Sequence, residues 1–187
     1  MTNIRHFDNY YPEIDSSAWI DPSAVVIGNT RIGARSSVWP NVTIRGDIHK
    51  IRIGEETNIQ DNSILHISHD SEFLPGGAPL IIGNHVTVGH LVTLHGCQIA
   101  DYCLIGMGSI VLDNAIVEEQ VMIGAGSLVP GGKTLESGYL YIGSPAKKIR
   151  ELTDNEKEFL VYSAEHYHKL AEKHRASAES DYLTIIG

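Results

Sequence analysis

An all-β fold, a parallel β-helix with one α-helix packed on it at the C-terminal end, is predicted by three observations. Aliphatic residues, most of them β-branched, recur every sixth position over most of the chain; the breaks in this rhythm are few and local; and the pattern turns helical only near the end. The marks begin at Ile14 and run through Ile20, Val26, Ile32, Val38 and Ile44. They continue at Ile53, Ile59 and Leu65, then at Ile82, Val88 and Leu94, and finish with Ile99, Ile105, Val111, Val117, Ile123, Val129 and Leu135. Four residues after a mark stands a small or β-branched partner, as in Ala18, Ala24, Thr30, Ser36 and Val42, and later Cys103, Ser109, Ala115, Val121 and Ser127. An amphipathic helix needs a spacing of about 3.6 residues and an isolated strand a period of two, so a sustained period of six fits neither. It fits short strands separated by corners and stacked on themselves, with the mark pointing inward and the small partner letting the corner close. A β-sandwich is disfavoured because its turns come about every 8–12 residues and its strands alternate. The 18 glycines suit regularly spaced turns.

The repeat resembles that of the hexapeptide-repeat, left-handed β-helix family, in which three hexapeptides make one triangular coil. The nineteen marks then make six coils, a prism about 30 Å tall at about 4.8 Å between strands. Ile44 to Ile53 is three residues too long, near His49. Leu65 to Ile82 carries eleven extra residues around HDSEFLPGGAP, read as a loop thrown out of the prism. Leu94 to Ile99 is one residue short. Residues 1–13 form an N-terminal segment, 14–145 the β-helix, and 146–187 the C-terminal helix and tail. GSPAKKIR makes the exit turn, and Thr153 with Glu156 has capping-box spacing. The helix NEKEFLVYSAEHYHKLAEKHRA offers Phe159, Leu160, Tyr167 and Leu170 for packing. One helix cannot be a domain, so it should lie against a prism face.

Bulk properties narrow the partners. At 42% hydrophobic and 20% charged, with 187 residues, the chain has an ordinary globular composition. The net charge of -9 argues against nucleic acid or an anionic membrane as partner. No apolar run reaches the length of about 18 residues needed to cross a bilayer, and no signal peptide is visible. Cys97 and Cys103 lack a CxxC spacing and fall at interior positions, as expected for reduced thiols in a cytoplasmic protein.

Counting in threes stacks Ile44, Leu65 and Leu94 on one face. The residues that follow them, Arg45, His66 and His95, therefore form a vertical column. One face earlier, Gln60 and Gly89 share a column, and Asp61 lies next to His90 around the corner. One chain thus supplies two neighbouring imidazoles, His66 and His95, and a third ligand must come from a chain packed alongside. Three histidines with a water make a catalytic metal set. His6, His49, His85, His166, His168 and His174, among the ten histidines, are read as solvated surface groups.

IRGD (Ile44 to Asp47), NIQD (Asn58 to Asp61), LHISH (Leu65 to His69), VGHLVTLHG (Val88 to Gly96) and GSPAKKIR together resemble the γ-class carbonic anhydrase family, in its YrdA/PaaY-like branch. The resemblance implies a homotrimer with a metal at each subunit interface, Zn2+ or else Fe2+ or Co2+. His66 and His95 match the ligands of one subunit, and His90 that of the next. Arg45 and Asp47 match an interface Arg-x-Asp, Gln60 the glutamine that hydrogen-bonds the reacting water, and Asp61 an orienting aspartate beside it. The implied reaction is hydration of CO2 to bicarbonate by a metal-bound hydroxide. Two departures concern the proton path: Ile48 stands where the archetype has a glutamate, and His69 where it has a shuttle glutamate. A histidine with pKa near about 6.5 can relay protons, so His69 is the candidate shuttle. Rival readings are a metal-free, coenzyme A-dependent acyltransferase, a coenzyme A-thioester hydrolase using the same metal, and a non-catalytic metal-binding trimer.

Overall fold

The computed structural model describes residues 3–185, with side chains as far as residue 177. The six-residue marks form the inner lining of a parallel β-helix. Val26, Ile44, Leu65, Leu94, Val111 and Val129 stack in register on one face. Ile14, Ile32, Ile53, Ile82, Ile99, Val117 and Leu135 stack on a second. Ile20, Val38, Ile59, Val88, Ile105, Ile123 and Tyr141 stack on a third. Nearly all are completely buried, and they form one continuous apolar core. Partial turns extend the six predicted coils at both ends, Ile4–Arg5 on Val26 and Ile27 at one and Tyr139–Gly143 at the other, so the solenoid has about 8 turns.

The corners lie three residues after each mark. There Arg35, Asn41, Glu56, Asn62, His85, Leu91, Tyr102, Asn114 and Gln120 all take φ between 49° and 60°, with glycine in the same place in the later coils. Left-handed backbone costs a residue with a Cβ about 1–3 kcal/mol. The ladder offsets that cost because the corner amides reach acceptors one coil away, carbonyls as in Asn62 N–H to Pro40 O at 3.0 Å and Leu91 N–H to Asp61 O at 2.9 Å, and the hydroxyls of Ser17 and Ser23 for Arg35 and Asn41.

The three irregularities resolve as follows. Thr43–Ile53 is one continuous strand whose register slips against Val25–Ile32 between Gly28 and Thr30, which takes up the extra residues near His49. The loop after Leu65 is closed at its neck by a bridge between Ser68 and Ala78. The short step after Leu94 is taken at Gly96, with φ of 53°.

After the prism, Ala146–Glu151 folds back antiparallel on Tyr139–Gly143. GSPAKKIR is therefore a turn followed by a strand that extends the third face. The helix Asp154–Ile185 starts on the capping box: Glu156 N–H donates to Thr153 Oγ1 at 3.3 Å, and Thr153 N–H donates to the Glu156 carboxylate at 2.9 Å. The helix then lies along the third face of its own prism. Leu160 packs with Leu140, Leu152, Leu104 and Met122 at one end, and at the other Arg175 donates to the carbonyls of Ser17 and Ala18. Between Leu160 and Arg175, Trp39 meets the edge of Tyr167 at 5.4 Å. Leu160 is buried and Tyr167 and Leu170 half-buried, but Phe159, one position back on the helix, stands at the edge of the covered face and stays 48% exposed. Among the described residues no helix is long and apolar enough to cross a membrane. Cys97 and Cys103 are free and buried, and burial raises both thiols to about 12.

Candidate metal centre

Strand register brings His66 and His95 together. They are direct partners between Ile64–His66 and Thr93–His95, and His66 Nδ1 lies 3.1 Å from His95 Nε2. Each ring is held from behind by a carboxylate. His66 Nε2 is 3.1 Å from Asp47 Oδ1, and His95 Nδ1 is 2.6 Å from Asp113 Oδ1. Asp47 is gripped in turn by Arg45 at 2.5 Å, and Asp113 accepts from the Ser68 hydroxyl at 2.9 Å. Burial lowers the pKa of His66 against the pull of Asp47, favouring the neutral ring that can donate a lone pair. For Asp47, burial works upward, but the hydrogen bonds from Arg45 and His66 outweigh it and keep the carboxyl below its usual value.

His90 is not part of this pair. It sits one place past a mark-following position, at the corner between the third and first faces, with Nδ1 2.9 Å from Asp61 Oδ2. Its neighbours line a groove of about 430 Å3 between the third face and the helix, formed by Gln60, Thr87, Met107, Met122, Phe159 and Tyr167 among others. Gln60 is buried there and donates Nε2 to Asn58 Oδ1 at 3.1 Å. One chain therefore carries two separate clusters: Arg45, Asp47, His66, His95 and Asp113 on the first face, and Gln60, Asp61 and His90 at its rim. Among the described residues no group of three metal-donating side chains is assembled within one chain.

His69 is exposed at the foot of the loop, and Ile48 is 44% exposed beside Asp47. Not all of the histidines read as solvated are free of partners. His85 is half-buried, pairs with Glu56 at 3.2 Å and stacks on Tyr102, and His174 packs against Trp19 and Trp39.

A family model described as bacterial transferase hexapeptide (six repeats) matches residues 11–46 and 96–131. Protein YrdA of Escherichia coli (strain K12) is 55% identical over 166 residues, covering 89% of this chain and 90% of that one. Gamma carbonic anhydrase 1, mitochondrial, of Arabidopsis thaliana is 43% identical over 166 residues, covering 88% of this chain and 60% of that longer protein. The chain belongs to the γ-class carbonic anhydrase family of hexapeptide-repeat proteins. A solved structure of this architecture, described as a putative acetyltransferase from Bacillus cereus, superposes with a TM-score of 0.86 at 40% identity, covering 92% of this chain and 96% of that one.

In this γ-class family member the sequence reading missed Asp113. It lies two residues after the mark Val111, off the column that follows the marks, and it reaches His95 only because Gly96 has no side chain. A Cβ at Gly96 would stand 2.1 Å from Asp113 Oδ1. The usable signal was the count itself: Gly96 and Asp113 each stand two residues after stacked marks, Leu94 and Val111, which places that glycine under the aspartate.

Proposed function

We propose that the protein catalyses the reversible hydration of CO2 to bicarbonate at a metal shared between neighbouring copies of the chain in a homotrimer. The observation that carries this reading is the His66–His95 pair. Two nitrogens bound tetrahedrally to one zinc at about 2.0–2.1 Å stand about 3.3–3.4 Å apart, and the facing nitrogens here are 3.1 Å apart with their opposite nitrogens held by carboxylates. That donor set fits a metal. His66 and His95 would hold it from one side and the partner subunit's His90 from the other. Three imidazoles suit Zn2+, and also Fe2+ or Co2+. When bound, such a metal makes a water molecule acidic enough to be a nucleophile at neutral pH.

The remaining work falls to the chain. Asp47, Asp113 and Asp61 keep one nitrogen of each ring occupied, which fixes the orientation and tautomer of the other. Gln60 turns its amide oxygen away from Asn58, where it can accept a hydrogen bond from the reacting water. Arg45 fixes Asp47 and thereby His66. His69, in contact with solvent, takes the role of proton relay. A second reading, acyl transfer from coenzyme A, is supported by the Bacillus cereus likeness. It needs one basic histidine and no metal, and it leaves the second imidazole of the pair without a task.

The deciding experiment combines metal analysis of anaerobically purified protein with stopped-flow CO2 hydration before and after loading. Hydration should rise in proportion to bound metal. A fully loaded trimer with no hydration activity, or acyl transfer indifferent to chelation, would overturn the proposal.

A further inference from the structure

Gln60 is tied to the C-terminal helix by an unbroken line of buried polar side chains. Its Nε2 donates to Asn58 Oδ1 at 3.1 Å; Asn58 Nδ2 lies 3.0 Å from Thr87 Oγ1; and Thr87 Oγ1 lies 3.0 Å from Ser163 Oγ on the helix. All four residues are at least nine-tenths buried. The line follows from the repeat. Asn58 and Gln60 flank the mark Ile59 and so point out of the same face, Thr87 is the register partner of Asn58 one coil on, and the helix covers that column.

The direction of the chain is fixed by a group that cannot reverse. The Val86 carbonyl, an acceptor only, is 3.5 Å from Asn58 Nδ2. This places the Asn58 amide nitrogen toward Val86 and Thr87 and its oxygen toward Gln60. An oxygen at that point demands the nitrogen of Gln60, so the Gln60 oxygen faces the other way, into the groove beside His90. Flipping either amide would put two acceptors, or two donors, face to face in a buried site, at a cost well above one hydrogen bond.

We infer that the Thr87 hydroxyl, held in turn by Ser163 on the helix, keeps the Asn58 amide in the orientation that fixes Gln60, which makes the docked helix a positioning element of the site rather than only a cover. The inference rests on the proposed function for what Gln60 does, but not for how it is held. It is tested by side-chain amide hydrogen exchange of Gln60 in isotope-labelled full-length protein, alongside CO2 hydration by the metal-loaded trimer. Thr87→Val keeps the shape and removes the hydroxyl; Thr87→Ser keeps the hydroxyl and removes the methyl. In Thr87→Val the Gln60 amide protons should exchange about tenfold faster, the worth of one hydrogen bond, and kcat/KM should fall with metal occupancy unchanged. Thr87→Ser should behave as wild type, and Ser163→Ala should move in the direction of Thr87→Val. Wild-type exchange in both Thr87→Val and Ser163→Ala would overturn the inference, as would Thr87→Ser matching Thr87→Val, since packing rather than the hydroxyl would then hold Gln60. A wild-type protein that protects Gln60 but does not hydrate CO2 would sink the proposed function and leave the relay standing.

Discussion

A histidine is a good ligand when one nitrogen is engaged and the other is bare, and His66, His90 and His95 each have a carboxylate at one nitrogen. Asp113 gives the sharpest test because it has no other evident task than His95 and Ser68. Asp113→Asn keeps the volume but weakens the hold on the ring, and metal affinity should drop about 10- to 100-fold, read by competition with a chromogenic chelator. Affinity within twofold of wild type would show that His95 needs no support. The His66–His95 adjacency was legible in the sequence because an integer period leaves no freedom: once Leu65 and Leu94 share a face, the residues after them must touch. Asp113 was not, since counting stacks it over Gly96 but does not say that its carboxylate leans across that glycine to His95.

At the scale of elements, the helix start could be read directly and its docking only in part. Thr153 and Glu156 announce a capping box, which forms, with Arg150 added as a bidentate partner of Glu156. Phe159 packs only in part, lining the groove while 48% exposed, because spacing identifies an apolar stripe without saying which edge of it the prism reaches. The cap also carries a pH signature. Hydrogen bonds from Arg150 and Thr153 lower the Glu156 carboxyl to about 2, from an ordinary glutamate value of 4.5. A depressed carboxyl stabilises the fold fully above its unfolded pKa and loses that contribution as pH falls through its folded one. Protection of the first helical turn in amide exchange should therefore persist at pH 5 and decline between the two values. Glu156→Gln should flatten that decline, and Thr153→Ala should cost about 1 kcal/mol of stability at neutral pH. A first turn equally protected in wild type at both ends of the window would show that the cap contributes nothing.

At the scale of the whole molecule, the pair on the first face and His90 at the rim form no three-residue cluster within one chain among the described residues, so the proposed metal needs a neighbouring copy. Fold class and strand register were legible because the repeat dictates them; the count also separates His90 from the His66–His95 pair, and the proposal that a neighbouring copy supplies it turns on packing between chains, which no repeat within one chain encodes. Complementation separates a shared site from an intrachain one. In a cyclic trimer with head-to-tail interfaces, each interface would use His66 and His95 from one subunit and His90 from the next. His66→Ala and His90→Ala homotrimers should each bind no metal tightly while keeping the β-helix spectrum. When the two are unfolded together and reassembled at equal amounts, an interface is complete whenever a His90→Ala subunit precedes a His66→Ala subunit. Random assembly makes that about one interface in four. Metal content and CO2 hydration should both return to about that fraction of wild type, on fresh, intact interfaces rather than on weakened ones, so KM should match wild type. If every site were built inside one chain, no mixture of the two variants could restore it, and recovery would be nil at any ratio.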